Sequence, residues 1–396
     1  MIPRKILRIF ILLMALTPAL PAQAAKVEYS PKGVLSFAES TPWGNMTVTF
    51  TYCLANKLFT FSTVNLDGER VNAGVWSDNI GPFNADGKWV GANHLDSKGN
   101  FTAKTVSVEI TADMEVLDAE RDYTVECKIL TVTVRNLIGL TDAEPFAWER
   151  VTYTVAGNSI EVEVEHDYIS STPVTVVTYY GMQSMFESEK EILLPGAGFG
   201  SWIPVDRGDV NILKKDAPDL NLYIESNGSA MQASYLLKED LGTHEYLADN
   251  HNIFTHSDLG KSYHSLMRYN TIEPGAYTRW HGVYSWFRTT VKDTFGSRDE
   301  EPCVVYGAYI GGGPCLVTAY DDGRITTAPY IRPVEREYNT NFHVLKPGML
   351  ITDVEPDLSV FDSVGRLIGT GPGLHRLGSG IYIINGPKGA SKIRVR

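Results

Sequence analysis

Residues 244–287 read HEYLADNHNIFTHSDLGKSYHSLMRYNTIEPGAYTRWHGVYSWF and carry five of the nine histidines in the chain. Nine aromatic rings share the stretch, with Glu245, Asp249, Asp258, Arg268 and Arg279 between them. These residue types suit β-elimination next to a uronate, which needs a proton acceptor, a proton donor and a group that neutralises the carboxylate. His251, His256, His264 and Tyr263 suit the proton roles, and Arg268 or Arg279 suits the neutraliser. His281 belongs with Arg279, because residues two apart on a strand point the same way, about 6–7 Å apart. Asn93 and His94, in a Gly- and Asn-rich stretch further upstream, are potential partners. The expected catalytic set is therefore His251, His256, Tyr263, Arg279 and His281. For any single histidine, a hydrogen-bonded structural ring is the favoured reading.

A second chemistry needs no titrating group. Flat indole and phenol faces stack on sugar rings. Trp89, Asn93, His94, Trp202 and Trp280 form the expected substrate-binding set, and Trp286 is a further candidate ring. Core packing competes for the same tryptophans. If 276–287 is a strand, Trp280, Tyr284 and Trp286 share one face, and Arg279 and His281 share the other. A wet Arg279/His281 face favours catalysis, and a wet tryptophan face favours stacking.

Other chemistries find less support. Glu245, Asp249, Asp258, Asp206 and Asp209 are available for paired-carboxylate hydrolysis, but no spacing singles out a pair. There is no H-E-x-x-H and no C-x-x-C, so no metal site is expected. No P-loop, strand–GxGxxG–helix or G-x-S-x-G occurs, so no cofactor is expected and a hydrolase elbow is unsupported.

The elements around these residues are strands. MTVTFTYC, KTVSVEITAD and CKILTVTV alternate apolar and polar positions. In AWERVTYTVAGNSIEVEVEHDYI, Ile160, Val162 and Val164 alternate with Glu161, Glu163 and Glu165. That spacing predicts a hairpin with one dry face and one acidic, solvated face. PVTVVTYYGMQSMF is nearly continuous in apolar residues and predicts a strand buried on both sides. Residues 77–100 lack a strand period and read as a long loop decorated with Trp89 and His94. Residues 230–241 have a helical flavour that a strand would equally explain. The expected fold class is all-β: a large antiparallel β-sandwich with a small C-terminal β-sandwich domain.

The start of the chain reads as an export signal. Arg4, Lys5 and Arg8 precede an apolar run, and Ala22-Gln23-Ala24 matches an A-x-A cleavage site. Cleavage would remove three basic residues and no acidic ones, taking the formal charge from −12 to −15. Such a surface repels phosphate backbones and argues against nucleic acid as a partner. It also disfavours a polyanionic substrate unless basic residues gather locally. Export permits disulfides, and Cys303 and Cys315 flank a potential hairpin, but four buried thiols are the favoured reading of Cys53, Cys127, Cys303 and Cys315. The expected organisation is a signal at 1–24, a large β-domain at 25–335, a linker at 336–345 and a C-terminal domain at 346–396.

Two resemblances add to this. VFDSVGRLI followed by LGSGIYIINGPKGASKIRVR resembles the C-terminal sorting domain of exported Bacteroidetes proteins, an Ig-like sandwich, although no Pro-Asn-Pro precedes it. That resemblance implies a secreted or surface location and contact with outer-membrane secretion machinery. IEPGAYTRWHGVYSWF is similar to an element of the galactose-mutarotase-like supersandwich, a fold found in polysaccharide lyases, in mutarotases and beside glycoside hydrolase domains. It implies a carbohydrate or polysaccharide partner, with the chain either a glycan-active enzyme or a non-catalytic binder.

Overall fold

The computed structural model describes residues 24–72, 80–141, 144–185, 191–197, 203–204, 211–213, 215–217, 219–241, 251–256, 260–288, 292–298 and 301–330, and the strands between Phe342 and Val395. The chain divides into two compact units, 1–330 and 331–396. Among the described residues every strand pairing is antiparallel and no helix occurs.

The first unit is built on a ten-stranded central sheet. Its middle strands, in spatial order, are Met231–Asp240, Tyr277–Phe287, Ser159–Tyr168, Glu144–Ala156 and Leu130–Thr141. An N-terminal sheet of six strands includes Ala25–Ser30, Val34–Thr41, Gly44–Cys53 and Leu58–Leu66. A third sheet, also of six strands, runs Asn211–Leu213, His251–His256, Lys261–Ile272, Val174–Met185, Phe83–Ala85 and Lys88–Val90. A fourth, of four strands, spans Lys292–Arg298 to Ile325–Pro329.

One continuous core joins the N-terminal, central and third sheets. The alternation in the sequence builds it: Ile160, Val162 and Val164 are fully buried, as are Val132, Val134 and Tyr153 across the ladder. Trp280, Tyr284 and Trp286 all point inward. Tyr284 and Trp286 meet Phe61, and the Trp280 indole N–H donates to the Tyr179 hydroxyl at 2.8 Å. Phe83 stacks on Tyr179 at 4.1 Å. The fourth sheet covers a different part of the central sheet. Leu222, Ile224 and Phe287 pack with Val304, Tyr306 and Ala308, while Tyr223 packs with Ile253. The strand Leu222–Ser226 is therefore buried on both faces.

Three sequence expectations change. Residues 77–100 are not one irregular loop: Phe83–Ala85 and Lys88–Val90 form a hairpin turned by Asp86 and Gly87, at φ 48° and 77°. Asp-Gly suits this two-residue turn, because both positions need positive φ. Val174–Met185 buries Val174 and Val176 but leaves Thr175 exposed and Tyr180 half-buried, so it is two-sided only in its second half. Its register shifts at Tyr179/Tyr180 and again before Gln183. Met231–Asp240 is a strand, which resolves the ambiguity at 230–241.

All four cysteines are buried and none forms a disulfide. Cys303 pairs with Tyr320 and Cys315 with Ala308, so the two thiols sit near opposite ends of their hairpin. The C-terminal unit contains a three-stranded sheet (Phe342–Lys346, Met349–Thr352, Gly373–Arg376) and a four-stranded sheet (Leu367–Thr370, Ser359–Asp362, Gly380–Gly386, Gly389–Val395). The apolar leader lies outside the described residues.

Candidate functional site

The strand Tyr277–Phe287 divides its residues as the period of two requires. The face carrying Arg279 and His281 is the wetter one, yet both are matched in place by the acidic row of the next strand. His281 meets Glu161 at 2.7 Å and Arg279 meets Glu163 at 2.5 Å. Glu165 takes Arg150 and accepts the Tyr277 hydroxyl. Glu161 also accepts the Gly311 N–H at 2.8 Å. Burial pushes the Glu161 carboxyl up, but the His281 and Gly311 hydrogen bonds outweigh it, and the group lies below the usual range. This is a ladder of compensated charge, which leaves His281 no free role as a base. Trp280 is 1% exposed and sits in the core with its N–H bonded, so it has no face to offer a sugar.

The outer face of the third sheet brings other named residues together. His251–His256 and Lys261–Ile272 form a hairpin in which Phe254 lies opposite Tyr263 and His256 opposite Lys261. Cross-strand partners share a face, so all four project the same way. On the next strand Tyr180 lies opposite Ser265. Two strands further on, Trp89 lies opposite Asn84, whose own partner is Thr178.

The result is a row of near-parallel rings running across the sheet. Phe254 and Tyr263 are 5.9 Å apart at 18°, and Tyr263 and Tyr180 are 4.4 Å apart at 30°. Tyr180 and Trp89 are 5.8 Å apart at 21°, and Trp89 and His94 are 5.3 Å apart at 23°. The His256 ring meets Phe254 edge-on at 6.2 Å. Trp89 remains 37% exposed, and Tyr180, His94, Phe254 and His256 are half-buried.

The loop that presents His94 is fastened from below by Asn56, a residue of the N-terminal sheet's turn at 54–57. The buried Asn56 amide donates to the carbonyls of Ala92 and His94 at 2.9 and 2.8 Å. Its carbonyl oxygen accepts the N–H groups of Thr102 and Ala103. Asn93 turns inward as well, its Oδ1 accepting the Ala55 N–H at 2.6 Å. Asn93 is thus a loop anchor, and its neighbour His94 is the residue that reaches the ring row.

Burial, and secondarily the nearby Lys261 charge, lower the His94 pKa, so the ring is neutral at pH 7. Burial raises the Tyr180 pKa against the opposing charge of Arg268, so its hydroxyl stays protonated. Arg268 lies opposite Thr178 on this same face and reaches over the Tyr269 ring at 5.5 Å. Tyr269, 61% exposed, takes a positive φ of 54°. The Arg268 N–H beside it donates to Asn270 Oδ1.

Among the described residues, Asn84 Oδ1, Ser265 Oγ and His256 Nδ1 are buried with no hydrogen-bond partner. Asn84 and Ser265 are the direct cross-strand partners of Trp89 and Tyr180. Such groups cost about 1–3 kcal/mol each when left unsatisfied.

Of the expected residues, Trp89, His94, His256 and Tyr263 meet on one face. Arg279 and His281 lie on the central sheet's ion-pair face and Trp280 in the core. The His251 backbone lies opposite Leu213; its side chain, and the whole of Trp202, lie outside the described residues. Tyr180, Phe254, Asn84, Ser265 and Asn56 were not singled out from the sequence. The hairpin F-x-H…K-x-Y was a usable signal, since its mirror symmetry puts both ends on one face. No group of three or more metal-ligating side chains occurs among the described residues. A separate groove of about 620 Å³, lined by Lys26, Glu39, Met46, Thr124 and Glu126 among others, lies along the N-terminal sheet and contains no aromatic ring.

No protein-family model and no curated protein sequence matches the chain. Solved structures that resemble it include the galactosidase domain of the α-galactosidase–sucrose kinase AgaSK, with a TM-score of 0.38, 10% identity, and 66% of this chain covered against 42% of that one. An α-galactosidase from Lactobacillus brevis gives 0.39, 8%, 66% and 40%, and the GH36 α-galactosidase AgaB from Geobacillus stearothermophilus gives 0.40, 9%, 66% and 41%. The chain spans less than half the length of each of these structures.

Proposed function

We propose that this is an exported carbohydrate-binding protein whose recognition surface is the outer face of the third sheet. The observation that carries this reading is the row Phe254, Tyr180 and Trp89, extended by His94 and packed on the buried Tyr263 ring. Near-parallel rings on a rigid sheet supply apolar surface for sugar C–H groups, at little cost in side-chain ordering because the rings hold one another. The A-x-A leader supports export.

Catalysis on a glycan is a second reading, favoured by one observation: His94 is kept neutral beside the ring row and is able to accept a proton. The test is a panel of neutral and acidic oligosaccharides titrated into the chain from residue 25 onward, with reducing ends and unsaturated uronate absorbance followed in parallel. Binding without product supports the binder, and turnover abolished by His94→Gln supports the enzyme. If no glycan binds, or if Trp89→Ala leaves binding intact, the reading fails.

A further inference from the structure

The centroid distances fix which way the ring faces point. Phe254 and Tyr180 are 6.1 Å apart and inclined by 13°, while Tyr263 lies 5.9 Å from Phe254 and 4.4 Å from Tyr180. Those sides make a triangle, so Tyr263 is not the middle member of a stack. It lies beneath the other two, because it is buried at 5% exposure while they are half-buried. Tyr180 therefore rests one face on Tyr263 and turns the other away from the sheet. Near-parallel planes carry that orientation along the row, with Trp89 inclined by 21° to Tyr180 and His94 by 23° to Trp89. Tyr180, Trp89 and His94 thus pave a strip, with successive centroids 5.8 and 5.3 Å apart.

Resting on the glycan-binding reading of this face, we propose that its ligand is an extended oligosaccharide whose pyranoses are linked through equatorial bonds at opposite ends of the ring, with one sugar on each of Tyr180, Trp89 and His94. Two features of the strip carry this. Its spacing is close to the length of one pyranose along an extended chain, so successive sugars meet successive rings. Its planes are close to parallel, so all three rings are met only by a chain that keeps successive sugar planes aligned. Equatorial bonds at opposite ends of the ring hold a chain straight and its planes aligned. An axial bond turns each sugar away from the last, and a coiled chain leaves the strip after a unit or two. A pyranose with equatorial substituents also carries its hydroxyls around the rim and its C–H groups on the faces, which suits aromatic tiles. A single sugar meets one ring, a small gain against the entropy cost of association. Each further unit adds a contact without incurring that cost again.

The experiment is calorimetric titration of the full chain from residue 25 with size series of cello-, xylo- and manno-oligosaccharides, whose linkages are equatorial, and of malto-oligosaccharides, whose linkages are axial at one end. At least one equatorial series is expected to gain about threefold or more in affinity with each unit from monomer to trimer. Malto-oligosaccharides should bind about tenfold or more weakly at equal length. His94→Ala removes an end tile and should lower affinity for the trimer about threefold or more. The size series carries the test even if His94→Ala fails to fold. A monosaccharide that binds as tightly as its trimer, an axial series that matches the equatorial ones, or a folded His94→Ala with unchanged trimer affinity overturns the inference. So does a glycan ligand outside all the equatorial series. In each of those cases a loss of binding on Trp89→Ala still supports the ring face, whereas no glycan binding at all overturns the underlying reading instead.

Discussion

Trp89 and Trp280 show how one residue type divides by environment. Trp280 is sealed in the core, its N–H bonded to Tyr179. Trp280→Ala should destabilise the protein by about 3–5 kcal/mol, measured by denaturant unfolding, through lost burial, the cavity left and an orphaned Tyr179 hydroxyl. Trp89→Ala, at a partly exposed ring, should cost about 1 kcal/mol or less and act on ligand affinity. Glu39 makes a second residue-scale prediction. Burial pushes its carboxyl up to about 7, against the Gly157 N–H that it accepts at 2.6 Å. The folded chain therefore binds a proton that the unfolded chain has released across the window from about 4.5 to about 7. Its contribution to stability is complete below that window and is lost as pH rises through it. Glu39→Gln should leave stability unchanged near the lower end and raise it by about 1 kcal/mol above the upper end, after discounting for the group's partial exposure. Thermal melts across that range check the sign.

At the scale of elements, the His94 loop depends on a residue from another sheet. Asn56→Ala removes the donor to Ala92 and His94 and the acceptor for Thr102 and Ala103. The expected cost is about 2–4 kcal/mol, together with faster amide exchange at 91–103 and weaker glycan binding. Asn56→Asp, which turns a carboxylate oxygen toward the carbonyls of Ala92 and His94 in a buried site, should cost at least as much as Ala. The Glu161/Glu163/Glu165 ladder predicts the opposite behaviour. Arg279→Ala breaks a half-exposed pair and should change stability by about 1 kcal/mol or less, with no effect on glycan affinity. A loss of binding there would return the central sheet's outer face to consideration. The hairpin 251–263 was readable in advance, because alternation assigns Phe254, His256, Lys261 and Tyr263 to one side. The placement of Tyr180 was not, because the register shifts on both sides of it break the alternation that a reader would extend.

For the molecule as a whole, the candidate site belongs to the first compact unit alone. A chain ending after Tyr330 is expected to bind oligosaccharide with unchanged affinity, and calorimetry on purified 25–330 checks this. A tenfold loss would assign the C-terminal unit a part in recognition. The three-sheet core also explains why so many aromatics are unavailable for binding. Phe50, Phe61, Tyr153, Tyr284 and Trp286 are spent on joining the N-terminal sheet to the central one.

From the sequence alone the all-β class follows, because a period of two is a local property of each segment and survives any packing. The division of Tyr277–Phe287 into an Arg279/His281 face and a Trp280/Trp286 face follows for the same reason. Which face meets solvent was a tertiary matter. The acidic row Glu161, Glu163 and Glu165 neutralises one face, and the sheets buried against the other enclose its tryptophans. The ring row was equally beyond reach, since Trp89, Tyr180, Tyr263 and Phe254 come from four strands as much as 174 positions apart in the chain, counting from 89 to 263. Strand order and register, which no local pattern encodes, brought each ring within about 6 Å of the next.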